Sequence, residues 1–153
     1  GPKCVRGAHP PAPEATGCGP NGSRAVIPGP LVVVGCRTMR TVTPQTPISL
    51  ADLRAMSAAR FGDLVKAVVD LEQRIMVVDA EMHSDEEAEL LSDGSRHQDL
   101  WGINLYPDLP EAEWLEFDSM INLRPSLGNR SRSVDDQAKR ERISEIVRSL
   151  VQR

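Results

Sequence analysis

Three groups of residues in this chain carry side chains with chemistry to offer. Asn104, Glu116, Asp118, Asn122 and Arg124 occupy even positions of two segments with strand-like alternation, so pairing those segments gathers them on one face. There the asparagines would orient a ligand, and Glu116 or Asp118 would act as base. The segment from Arg124 to Arg132 follows at once. Pro125 and Gly128 bracket a turn, Asn129 tolerates a left-handed backbone, and Arg124, Arg130 and Arg132 lie near a helix start, a setting suited to a phosphate or carboxylate. The third group is His83-Ser84-Asp85-Glu86-Glu87. His83 and Glu87 are four apart on one helix face, and with Asp118 or Glu116 they would form a nitrogen-and-oxygen metal site that activates water.

Each group also has a plainer use. One face of an antiparallel sheet is commonly wet, the arginines have Glu116 and Asp118 as partners, and acids after a serine cap suit the helix dipole. One histidine beside three acids is not HExxH, and neither GxxxxGK[ST] nor GxGxxG occurs within residues 39–153. Nucleophilic catalysis has less support. Residues 39–153 contain no cysteine and no GxSxG, and Ser84, Ser119, Ser126 and Ser131 sit on no recognisable elbow. Ser119 points into the core by parity, His97 lies in a polar connection, and His9 falls in the leader.

The elements that must position these groups read in the order α-β-β-α-β-β-α. Ser49 followed by Asp52 caps a helix whose Leu50, Leu53 and Met56 recur every three residues before Phe61 and the breaker Gly62. From Leu64, apolar and polar residues alternate, and a β-branched run over Ile75–Val78 gives a hairpin turning near Glu72-Gln73; a helix fits the same spacing, and β-branched enrichment favours strands. Ser84 and Glu87 form a capping box for a short helix carrying Ala88 and Leu91 and ending at Asp93-Gly94. Leu100–Tyr106 and Trp114–Arg124 form a second hairpin. The last helix starts near Ser133, with Asp135 and Asp136 in its first turn, an apolar stripe of Ile143, Ile146, Val147, Leu150 and Val151, and Arg148 and Arg153 near its negative end.

Parity divides the second hairpin. Trp101, Ile103, Leu105, Leu115, Phe117, Ile121 and Leu123 make an odd-numbered core face, and Tyr106, Trp114 and Met120 join the polar groups on the even face. If Tyr106 pairs with Trp114, Asn104 lies opposite Glu116, and Gly102 opposite Asp118 leaves a gap for a ligand or another backbone.

Composition separates residues 1–38 from 39–153. The first stretch holds seven of eleven Gly, seven of twelve Pro and all three Cys, and reads as a disordered leader or upstream extension. Val33-Val34-Gly35-Cys36 loosely matches a lipidation box, but Pro28 and Pro30 interrupt the apolar stretch before it. Residues 39–153 carry fourteen Lys and Arg against twenty-one Asp and Glu, an acidic balance that argues against nonspecific nucleic-acid binding. No apolar run reaches the roughly 18 to 20 residues a bilayer crossing needs. The cysteine-free domain suits a cytoplasmic setting.

Phe61–Asp70, His83–Glu87, Asp99–Pro107 and Glu116–Arg132 together resemble a family of short, uncharacterised, mainly bacterial proteins catalogued as a domain of unknown function. The resemblance covers about residues 40–152 and implies a domain beginning near Met39, glycines at the positions of Asp79-Ala80 and Ser133, and a polar residue at Leu127. It transfers no catalytic residue and no cofactor. The resulting expectation is one α+β domain of two antiparallel hairpins and three helices that binds a small anionic, phosphate- or nucleotide-like ligand through Asn104, Asn122, Arg124, Asn129, Arg130 and Arg132. The alternatives are a metal-assisted hydrolase using His83, Glu87 and Asp118, and an interaction or homodimerisation module.

Overall fold

The computed structural model describes residues 39–153, and the leader expected over residues 1–38 lies outside them. The architecture is α+β. Strand β1 (Arg40–Val42) and the two-residue β2 (Ile48–Ser49) lead into α1 (Leu50–Arg60), followed by β3 (Val65–Asp70), β4 (Ile75–Val78) and α2 (His83–Ser92). Then come β5 (Leu100–Leu105), the short β6 (Leu115–Glu116), 3-10 turns at Met120–Asn122 and Pro125–Leu127, α3 (Gln137–Leu150) and β7 (Val151–Gln152). The expected hairpins merge into one antiparallel sheet in the order β1-β4-β3-β5-β6, because β3 pairs with β5 along its whole length.

Local chemistry explains the first hairpin. Its turn lacks glycine, yet the buried Asp70 carboxylate accepts the N–H groups of Glu72 and Gln73 at 2.7 and 2.9 Å and the Ser95 hydroxyl. Arg74 then supplies the left-handed residue, at φ 59°. Helix α1 is capped as the sequence predicts, with Ser49 accepting the Asp52 N–H at 3.0 Å.

The second hairpin departs from the expectation after two residues. Asn104 pairs with Glu116 and Leu105 with Leu115, the predicted register, but the strand then ends and Met120–Asn122 turns as a 3-10 helix. Parity fails beyond that point. Trp114 is buried in the main core instead of the polar face, Leu123 is exposed, and Ile121 packs against the opposite side of the sheet. Val151 leaves α3 to pair in parallel with Ile48.

Both faces of the sheet are therefore covered. Val65, Ala67, Val69, Trp101, Ile103 and Leu105 meet Leu53 of α1 and Ile143, Ile146, Val147 and Leu150 of α3. On the other face Val68, Val77 and Leu100 meet Leu90 of α2, with Met39, Ile75 and Ile121 around them. Helix α2 starts at His83 with Met82 at its cap position and no side-chain cap, so the Ser84–Glu87 box does not form. It buries His83, Glu86 and Leu90, leaving Ala88 and Leu91 exposed. Asp136 caps α3, accepting from Ala138 at 2.8 Å, and Asp135 stays outside the helix. Among the described residues no helix is long and apolar enough to cross a membrane.

Ile146 is fully buried where α3 meets the sheet. Ile146→Ala is expected to lower unfolding free energy by about 2–5 kcal/mol through lost burial and a residual cavity, read as a fall in the urea midpoint at unchanged m-value.

Candidate functional site

Lys66, Asn104 and Glu116 form a polar row across β3, β5 and β6, since Lys66 pairs with Asn104 and Asn104 with Glu116. Asn104 donates from Nδ2 to Glu116 Oε2 at 2.7 Å, and the Tyr106 hydroxyl donates to the same oxygen at 3.3 Å. Above this row lies a groove of about 420 Å³ whose polar lining includes Lys66, His83, Ser84, Asn104, Asp118 and Arg132. Arg132 Nε holds Asp118 Oδ1 at 2.8 Å. Lys66 makes no ion pair among the described residues; its Nζ rests 5.2 Å from the centre of the Phe61 ring. Asn104 is 6% exposed, and its Oδ1 is buried without a hydrogen-bond partner.

Gly102 lies under Ser119 and His83, two residues of the groove lining. A methyl there would meet Ser119 Cβ and Oγ at 2.6 Å and His83 Cδ2 at 3.2 Å. The side chains of Ser119 and His83, rather than a ligand or another backbone, thus fill the gap predicted at this glycine, and Ser119 is buried over it on the α2 side. His83 Nε2 carries a proton and donates to the Ile103 carbonyl at 2.8 Å, because a carbonyl only accepts. Burial pushes the His83 imidazole below its ordinary value and Lys66 adds to this, against the Ile103 carbonyl, Asn104 and Asp118.

Several nominated residues are engaged elsewhere. Asn122 accepts the Gly102 N–H at 2.8 Å and donates to the Gly102 carbonyl at 2.9 Å and the Arg132 carbonyl at 2.9 Å. Asn129 donates to the carbonyls of Asn122, Ser131 and Ser133 and accepts the Asp135 N–H at 2.7 Å. Both amides bind backbone. Buried Arg124 donates to Glu87 Oε2 and to the His97 carbonyl, each at 2.9 Å, and its guanidinium stacks 5.1 Å from the Trp101 ring. Burial pushes Arg124 down, and Glu87 pulls it back up. Arg130 is exposed and contributes its backbone N–H to Asp135.

Of the proposed metal ligands, His83 and Asp118 both line the groove and Glu87 does not. His83 turns to Ile103, Asp118 to Arg132, and Glu87 to Arg124 and to His97 Nε2 at 3.2 Å. Among the described residues no three His, Cys, Asp or Glu side chains cluster as a metal site. The groove thus brings together His83, Asn104, Asp118 and Arg132, with Glu116 beside them, and adds Lys66, which the sequence reading missed. Its signal was an even position in the first hairpin, useful only once β3 is known to pair with β5.

A second omission is Glu86, fully buried on α2. Its Oε2 accepts the Ala80 N–H at 3.0 Å, and its Oε1 has no partner among the described residues. Burial pushes this carboxyl well above the ordinary range, Asp79 and Asp85 add to the rise, and the Ala80 N–H and Lys66 oppose it.

A family model described as a protein of unknown function matches residues 43–150. The chain belongs to that family, DUF5674. Comparison with curated proteins and with solved structures finds no match. In this DUF5674 chain Asp79 holds φ 75°, a left-handed conformation that glycine adopts without strain. The resemblance read in the sequence placed glycine at this point.

Three outcomes are expected. Asn122→Ala strands both polar groups of Gly102 and is expected to cost about 2–6 kcal/mol, while Arg130→Ala stays within about 0.5 kcal/mol, both read by urea denaturation. The folded chain keeps Glu86 protonated where the unfolded chain ionises it, so stability falls as pH rises from the ordinary glutamate value toward the raised one. Glu86→Gln is expected to remove that fall, its advantage over the parent growing as pH rises above the ordinary glutamate value, read in urea midpoints.

Proposed function

We propose that this domain binds a small anionic ligand, phosphate- or nucleotide-like, in the groove beside the start of α2. The observation that carries the reading is Lys66, a cation held at the groove by the Phe61 ring with no carboxylate partner among the described residues. Arg132 adds a second cation whose charge Asp118 balances. The anion's contacts are therefore Lys66 and Arg132, with Asn104 orienting it; Arg124, Asn122 and Asn129 shape the loop behind. Asp118 is the carboxylate that lines the groove, and it is the base available to a bound ligand. The cysteine-free domain fits a cytoplasmic setting.

Thermal unfolding of the full chain tests this by mass action, since a ligand that binds only the folded state stabilises it by about 2.7 kcal/mol at a hundred times its dissociation constant. Inorganic phosphate and adenosine monophosphate are the probes, with chloride at matched ionic strength as control. At least one probe is expected to raise Tm, Lys66→Ala to abolish the rise, and Arg130→Ala to retain it. The reading fails if neither probe shifts the parent, or if the shift survives in Lys66→Ala.

A further inference from the structure

Phe61, Met82 and Met120 are large apolar residues with 39%, 57% and 62% of their surface exposed, and all three line the groove that holds Lys66 and Arg132. The described residues expose seven large apolar side chains, so the groove gathers three of them, with the half-buried Leu64 and Ile121 beside them. A bare oxyanion has no use for such a lining. The volume, about 420 Å³, lies within the range of small-molecule sites, roughly 300–1,000 Å³, and is many times that of one phosphate group. Methionine side chains are flexible and polarisable, and their thioethers make favourable contacts with aromatic rings. Phe61 already carries the Lys66 ammonium on its ring, so the cation that would meet a phosphate sits beside the aromatic surface.

From this combination we infer that the ligand is a phosphate monoester bearing an aromatic group, its phosphate on Lys66 and Arg132 and its ring against Met82, Met120 and Phe61. The inference rests on the anion-binding reading and adds the second half of the ligand. Asn104, which lines the groove, orients the ligand through its carboxamide.

Calorimetric titration of the full chain with phenyl phosphate, adenosine monophosphate, adenosine, ribose 5-phosphate and inorganic phosphate tests it. The two aromatic monoesters are expected to bind at least tenfold more tightly than ribose 5-phosphate. The double variant Met82→Ala, Met120→Ala, both positions being exposed, is expected to lose most of that difference while keeping its affinity for ribose 5-phosphate. Equal affinities that depend on Lys66 would overturn the inference and leave the anion site standing. Adenosine binding as tightly as its monophosphate would overturn both, and so would no binding by any probe. An aromatic preference that survives the double variant would show that the methionines are not the ring's surface.

Discussion

The carboxamide of Asn122 set against the backbone of Gly102 is the contact on which the loop and the groove both depend. Strand β5 pairs with β3 throughout, but β6 covers only Asn104 and Leu105 on the other side. Buried and unpaired, the Gly102 N–H and carbonyl would each cost about 1–3 kcal/mol. A side-chain amide carries one acceptor and two donors, so Asn122 answers both groups as a neighbouring strand would, and its second donor reaches the Arg132 carbonyl. The approach demands glycine. With no Cβ at position 102, Ser119 and His83 close directly over the strand, and the Met120–Asn122 turn is fixed where Met120, Ile121 and Arg132 form one wall of the groove.

Alternation made much of this legible. Period-two patterning gave both hairpins and the register of Asn104 against Glu116, and the 3.6-residue stripe gave the buried face of α3. It failed where its premise failed. Once β6 stops at Glu116, odd and even lose their meaning, so Ile121 and Leu123 leave the core face and Trp114 enters the core from the other side. The asparagines show a different limit. Asn104, Asn122 and Asn129 look alike in sequence, and only tertiary geometry separates an amide with a free oxygen from two saturated by backbone. Lys66 was invisible for a related reason, since its place in the site depends on the long-range β3–β5 pairing.

Helix α2 carries two opposite answers to burying charge. Arg124 and Glu87 are brought out of water together, the cation further supported by the His97 carbonyl and the Trp101 ring, an arrangement that holds the 3-10 turn following Leu123 against the helix. Such a pair gives geometry more surely than net stability, because desolvation consumes much of the attraction. Glu86 has one backbone donor and no salt bridge among the described residues, and burial pushes it toward its protonated form. The same helix turn therefore holds one glutamate paired with a cation and one pushed by burial toward its neutral form, and the second accepts the Ala80 N–H.

Sequences conflict with local rules most often where function or strain requires it. Here the conflicts gather at one place: a non-glycine residue at φ 75°, a helix start with no side-chain cap, a buried neutral glutamate, a buried histidine held to a carbonyl, and an unanswered amide oxygen. Stability alone would favour removing each, since glycine suits position 79, a capping side chain suits position 82, and an apolar residue suits position 86. The domain is acidic, so its field repels anions at long range and only short-range contacts can hold one. A lysine seated on phenylalanine answers that constraint. The aromatic face keeps the ammonium beside apolar surface, where its charge is less screened than in open water and acts over the few ångströms that a bound phosphate would occupy.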